Sequence, residues 1–199
     1  LFDYTFVGCG READYGGENN MIAFRRDKFE LMFLETFWLS PTPDVPGSRY
    51  ADQSPCPRVC THVILRPLSG EKMFHYYNTH LDHVSDHARV LGAGALMRHI
   101  AADLKRHDLP VIVTGDMNAA PDSEPITVFL SDENVPLVNQ TPSFLASWHD
   151  YGKRPDEPQI DYIFTRGFKA TAEPAAWDDR PFGKYLSDHE ALCAFLKAE

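Results

Sequence analysis

The sequence predicts an α+β domain in which two sheets pack face to face with helices on their outer surfaces. Three observations point there. Short apolar runs bounded by turn residues recur along most of the chain. One long stretch, 84–106, carries apolar residues at three- and four-residue spacing. A second, much shorter stretch opens with a proline suited to a first helical turn. A length of 199 residues fits one domain spanning 1–199.

The elements follow in order. Leu1 to Val7 is apolar and aromatic, ends at Gly8, and reads as a strand. Arg11 to Asn20 is a polar, Gly-rich loop, and Met21–Arg25 and Phe29–Trp38 are two strands divided by Arg26-Asp27-Lys28. Ser40 to Pro57 holds prolines 41, 43, 46, 55 and 57, so it is an ordered loop over one end of the sheets. Val59–Leu65 and Lys72–Asn78 form the next strand pair, joined through Pro67-Leu68-Ser69-Gly70. The long helix runs from Val84 to Arg106, with Val84, Ala88, Leu91, Ala95, Leu96, Ile100 and Leu104 in periodic positions. Pro110–Thr114 is a continuous apolar strand of the kind buried on both faces. Glu124–Leu130 is a short helix, and Gln159–Thr165 and Ala191–Leu196 are the last inner strands.

Composition narrows the function classes. Nineteen basic residues against 29 acidic ones give a net charge of −10, which argues against a protein that coats duplex nucleic acid. The balance leaves room for an enzyme that grips one phosphate group through a metal ion. No apolar run approaches the ~20 residues of a membrane-spanning helix. The four cysteines form no C-x-x-C pair, so neither a zinc cage nor a redox motif is indicated; a Cys56–Cys60 bridge is the pairing open to a secreted form. The nine histidines offer no His-x-x-x-His pair flanked by Glu, which disfavours a zinc hydrolase.

Four short segments carry chemistry. In Val111-Ile112-Val113-Thr114-Gly115-Asp116-Met117-Asn118 an apolar strand ends in Gly, and strand alternation puts Asp116 and Asn118 on one side. An acid and an amide there can hold a metal or a water and donate to a phosphate oxygen, although Gly-Asp-x-Asn is also a common turn. Asn78-Thr79-His80-Leu81-Asp82-His83 ends another strand just before the long helix. His80 and Asp82 alternate onto one side with His83 near them, and Asp82 or Ser85 also suits a helix cap. Leu186-Ser187-Asp188-His189-Glu190 sets an acid beside an imidazole, the pairing that orients a base or binds a phosphate. Asp161 is an acid inside the apolar strand Ile160-Asp161-Tyr162-Ile163-Phe164, where a carboxylate needs a partner.

In their order along the chain, Asn-Thr-His-Leu-Asp-His, Gly-Asp-x-Asn, Ile-Asp-Tyr-Ile-Phe and Ser-Asp-His resemble the endonuclease/exonuclease/phosphatase superfamily. Thr36-Phe37-Trp38-Leu39-Ser40, the following Pro-Gly-Ser and Cys56-Pro57-Arg58 are similar to a bacterial-type subgroup of unassigned substrate. The resemblance implies a four-layer sandwich of two mostly antiparallel sheets flanked by helices. It also implies a magnesium-dependent phosphoric ester hydrolase acting by in-line attack of water, with Mn²⁺ as the alternative ion. His80 would contact the phosphate, Asp116 would orient or deprotonate the water, and Asn118 would hold the phosphate. Asp161 and Asp188 would be the metal-side acids, and His189 would bond the phosphate oxygen as charge develops. Arg58, His83 and His149 would lie on the substrate side, Arg58 as a clamp whose fork matches two oxygens.

The family opens with a strand bearing Asn and then a Gln-Glu pair whose Glu ligates magnesium. The sequence starts at Leu1, downstream of any such strand, so the domain is expected to lack its N-terminal strand and to hold magnesium weakly. The alternative reading is a non-catalytic phosphate-binding protein of the same fold. The substrate is a phosphate ester, with single-stranded nucleic acid or a small phosphodiester in view. The segment Arg154 to Asp161 stands where inositol 5-phosphatases carry a different signature. The protein is expected to act as a monomer, and cytoplasmic and secreted locations are both open.

Overall fold

The computed structural model describes residues 2–141, 146–154, 157–177 and 179–199. Its centre is a six-stranded mixed sheet built from β3 (Phe29–Trp38), β4 (Val59–Pro67), β5 (Phe74–His80), β6 (Val111–Asp116), β7 (Val138–Asn139) and β8 (Asp161–Arg166). The spatial order is β3-β4-β5-β6-β8-β7. The single parallel pair, β5 with β6, is the one whose connection contains the long helix, since parallel neighbours need a crossover.

Helix α1 (Asp86–Arg106) crosses one face of this sheet. Ser85 caps it by accepting from the Ala88 amide at 3.1 Å, and Asp86 with Lys105 and Arg106 complements the helix dipole at its two ends. The helix therefore begins two residues later than its apolar spacing suggests, and Val84 is exposed. The cap decided the start, against periodicity. Ala93, Leu96, Met97 and Ile100 pack with Tyr77, Val111, Val113, Tyr162 and Phe164, and with Ile126 and Phe129 of α2 (Glu124–Leu130).

The opposite face carries Val63, Leu65, Phe74 and Ile112. It is covered by a ribbon of β1 (Tyr4–Val7) and β2 (Ile22–Arg25), through Ile22 and Phe24, and by Phe168 of β9 (Phe168–Ala170). The second layer is thus made of two-stranded ribbons, which completes the sandwich without a second wide sheet. The expected last strand Ala191–Leu196 is divided for this reason: β11 (Ala191–Cys193) pairs with β10 (Ala175–Trp177), and β12 (Leu196–Ala198) pairs with β9. All four cysteines are free thiols, so no Cys56–Cys60 bridge forms; Cys60 is buried in the helix-side core, which pushes its thiol upward. Among the described residues, no helix is long and apolar enough to cross a membrane.

Candidate active site

Strand register builds the site. Across β5, β6 and β8, His80 faces Asp116 and Asp116 faces Asp161, so three polar side chains share one row at the sheet's end. Gly115 makes that row possible. It pairs with Thr79 at a φ of 151°, and a Cβ there would lie 1.9 Å from the Thr79 carbonyl oxygen.

His80 is held from both ring nitrogens, Nδ1 at 2.8 Å from Glu18 Oε1 and Nε2 at 3.2 Å from Asp116 Oδ2. On the far side of the row, His189 Nδ1 lies 2.8 Å from Asp161 Oδ2. Asp116, Asp161 and His189 bring ligand atoms within 4.8 Å of one another, a set of two carboxylates and an imidazole able to hold a cation. Burial drives the Asp116 carboxyl above its ordinary value and the Asp161 charge adds to this, while His80 and His189 oppose it. Burial alone would lower His189; the Asp161 hydrogen bond and charge outweigh it and raise it, favouring the imidazolium.

Asn118 reaches the same cavity by a turn and not by strand alternation. β6 ends at Asp116, Asn118 adopts a φ of 47°, its amide donates to Asp116 Oδ1 at 2.8 Å, and its Nδ2 donates to the Leu81 carbonyl at 3.0 Å. His80 and Asp82 likewise part company, because β5 ends at His80. Asp82 is buried, accepting from the Val84 and Ser85 amides and from Ser54. It closes the turn that leads into α1, whose cap is Ser85, the other residue suited to that role.

A cavity of about 570 Å³ is lined by Arg11, Glu18, Cys56, Arg58, His80, His83, Asp116, Asn118, Trp148, Glu157, Pro158, Ile160 and His189. Arg58 Nη2 donates to His83 Nδ1 at 2.7 Å. Its Nε and Nη1 are buried without hydrogen-bond partners, 3.8 Å from Asp82 and 3.7 Å from Glu18. Arg58 therefore lends the cavity positive charge and sets the His83 ring, while two of its three guanidinium nitrogens carry no hydrogen bond among the described residues.

His149 stands apart, buried outside this cavity, with Nε2 3.4 Å from Glu190 and its ring against Tyr185. Asp188 is also outside the carboxylate–imidazole cluster among the described residues. Its backbone carbonyl accepts from the His149 amide at 2.9 Å, and its carboxylate meets the Ser187 hydroxyl at 3.4 Å. Of the segment Arg154–Asp161, Pro155 and Asp156 lie outside the described residues, while Glu157, Pro158 and Ile160 line the cavity.

Two residues of this network, Arg11 and Ser147, escaped the sequence reading, and Glu18, in the Gly16-Gly17-Glu18-Asn19 loop that resembles the bacterial-type subgroup, was given no metal role by it. Glu18 bridges His80, Arg11 at 2.9 Å and Arg58, and its carboxyl is lowered to about 2, chiefly by the His80 hydrogen bond. Arg11 shares that network. Ser147, fully buried, donates to Asp161 Oδ2 at 2.7 Å and accepts from the Ile160 and Asp161 amides at 2.9 Å each. The Gly-rich turn around Gly8 and Gly10, which folds the loop back over the sheet's end, was the available signal for Arg11 and Glu18.

The profile of the Endonuclease/Exonuclease/phosphatase family matches residues 2–189. No curated protein matches the sequence. Among solved structures, the endonuclease/exonuclease/phosphatase of Bacteroides vulgatus is 29% identical with a TM-score of 0.90, covering 100% of this chain and 78% of that one. A mannosyl-6-phosphatase of Bacteroides thetaiotaomicron is 26% identical with a TM-score of 0.87, covering 99% and 78%. The human Nocturnin catalytic domain, solved with bound sulfate, is 17% identical with a TM-score of 0.77, covering 100% and 73%, and shares the fold.

Proposed function

The chain belongs to the endonuclease/exonuclease/phosphatase family, and from that footing we propose that it hydrolyses the phosphate ester of a small molecule by in-line attack of water, with a divalent cation bound. The observation that carries this reading is the row His80, Asp116 and Asp161, with His80, Asp116 and His189 lining one cavity beside Arg11 and Arg58 and Asp161 set behind against His189.

The donor set suits a hydrated magnesium ion, which binds through one or two carboxylates and leaves sites for water and phosphate. Asp161 would hold it through one carboxylate, which leaves Asp116 free to act as a base. When bound, the ion supplies positive charge against the phosphoryl oxygens. The remaining work belongs to the chain. His189, as imidazolium, donates to a phosphoryl oxygen as charge spreads onto it. Asp116 takes the proton of the attacking water, with its carboxylate aimed by the Asn118 amide. His80 is oriented by Glu18 to donate to the phosphate from the opposite side. Asp188 acts through its charge and through the loop that presents His189.

For the substrate we favour a monoester of a small polyol, such as a sugar phosphate, over a nucleic acid. A cavity of about 570 Å³ suits a small ligand, a net charge of −10 opposes a polyanion, and a neighbour 26% identical is a mannosyl-6-phosphatase. The test is Mg²⁺-dependent hydrolysis of a panel holding sugar phosphates, a generic phosphodiester, and single-stranded RNA and DNA. Asp116→Asn is the control, expected to lower turnover by about 10²–10⁴-fold with the fold intact. Activity on the diester or nucleic acid alone would overturn the substrate class, and full activity of a folded Asp116→Asn protein would overturn the mechanism.

A further inference from the structure

A second group of metal-ligating side chains lies away from the cleft, at mid-strand on the helix-covered face of the sheet. Glu35 comes from β3, His62 from β4, and His99 with Asp103 from one turn of α1. His99 Nε2 is 3.1 Å from Glu35 Oε2 and 3.4 Å from Asp103 Oδ2, while His62 Nδ1 is 3.7 Å from the same Glu35 oxygen and 3.5 Å from the same Asp103 oxygen. Donor atoms of Glu35, His62 and His99 thus lie within 4.8 Å of one another, and Asp103 Oδ2 stands beside both histidines. Ligands about 2.1 Å from a zinc ion lie about 3.4 Å apart, and these four separations, 3.1–3.7 Å, lie around that value.

His62 supplies the independent observation. It is 1% exposed, and its Nδ1 is buried with no hydrogen-bond partner. The other ring nitrogen is already committed. His75 Nε2 faces the His107 carbonyl at 3.1 Å, which can only accept, so in the neutral ring His75 Nδ1 is an acceptor. His62 Nε2 lies 2.9 Å from that nitrogen and must donate to it. A neutral His62 then turns a bare lone pair on Nδ1 toward two carboxylates, and a protonated one holds a buried N–H with no acceptor in hydrogen-bonding geometry. A cation bound there gives His62 Nδ1 the partner it lacks and neutralises the carboxylates that face it.

The surroundings resemble a supporting shell. The Tyr77 hydroxyl donates to Asp103 Oδ2 at 2.8 Å, and the His99 ring is stacked on Phe37 with centroids 3.8 Å apart. The part-exposed edges of Glu35 and His99 leave an entry path.

We propose that Glu35, His62, His99 and Asp103 form a zinc site that fastens α1 to β3 and β4, separate from the catalytic cation. Two imidazoles with two carboxylates suit zinc better than magnesium, which prefers oxygen alone.

The test removes the other metal site first. Metal-stripped protein carrying Asp116→Asn and His189→Gln is titrated with Co²⁺ and with Zn²⁺. One equivalent of cobalt should bind with the visible bands of tetrahedral coordination. Zinc at a hundredfold excess over its Kd should raise Tm by about 5–10 °C. Adding Glu35→Gln or His99→Gln to that background should abolish both signals while circular dichroism stays unchanged. X-ray absorption of the zinc form, which needs no further variant, should show two imidazoles in the coordination shell. No cobalt band in the background protein, a band that survives both added variants, or a shell without imidazole would overturn the site.

Discussion

Ser147→Ala isolates a buried residue, outside the cavity lining, that holds Asp161 in the candidate row. Its hydroxyl makes three hydrogen bonds within 2.9 Å, one to the Asp161 carboxylate and two from the Ile160 and Asp161 amides. Ser147 is completely buried, so water does not replace what the hydroxyl supplied. A hydrogen bond to a charged group contributes about 1.5–3 kcal/mol, and a buried amide left unpaired costs about 1–3 kcal/mol. Allowing for relaxation, a stability loss near 3 kcal/mol is expected, or a Tm drop of about 6–12 °C for a domain of this size.

The catalytic effect should be separable. Asp161 keeps His189 as its other partner, so the carboxylate stays in place but loses one of its two anchors. Residues behind a metal or phosphate-binding group typically cost 10–100-fold (about that range) when removed. The assay compares kcat and KM of Ser147→Ala well below its Tm, alone and in an Asp161→Asn background. Most of the kcat loss should vanish in that background, because the two residues act as one unit. An unchanged kcat and a Tm within about 1 °C of the parent would refute the positioning role. Equal kcat losses in both backgrounds would show that Ser147 does not act through Asp161.

Gly115→Ala should separate β5 from β6 at the row that matters, since its Cβ would meet the Thr79 carbonyl oxygen at 1.9 Å and its φ is 151°. A loss of about 2–3 kcal/mol in urea unfolding, with activity falling further than stability explains, is expected. Glu18 gives a pH signature. Its carboxyl is lowered from 4.5 to about 2, so the stability it adds is fully present above pH 4.5 and is lost as pH falls toward 2. Plots of Tm against pH for the parent and Glu18→Gln should differ at neutral pH and converge in that acid window; parallel curves would remove Glu18 from the network.

The central strands and both helices were legible because each obeys one local rule. Burial on both faces made β6 a continuous apolar run, and periodicity with a proline start marked the helices. The narrow ribbons were not legible, since a three-residue strand such as β9 or β12 has no pattern long enough to read, and its partner is decided in space. The same distinction runs through the site. His80, Asp116, Asp161 and His189 could be picked out because polar groups at the ends of apolar strands violate the local pattern. Asp82 violates it in the same way, yet it closes the turn leading to the Ser85 cap of α1, so the violation marks a position and not a role.

Glu18, Arg11 and Ser147 violate nothing locally. A glutamate in a Gly-rich loop and a serine before a tryptophan are ordinary until the fold sets them against His80 and Asp161. The Glu35, His62, His99 and Asp103 group carries this argument furthest. His62 sits in an apolar strand where an aromatic ring would pack equally well, and it does stack on Tyr77 with centroids 4.0 Å apart. Only the register of β3 against β4, which sets Glu35 opposite His62, and the helical turn from His99 to Asp103 bring the four together. Its spacing in sequence is that of three unrelated elements. Sequence motifs therefore report sites whose ligands share a strand end or a helix turn, and they pass over sites assembled by packing. For the latter the usable signal is a buried donor or acceptor whose neighbours leave it unsatisfied, as they leave Nδ1 of His62.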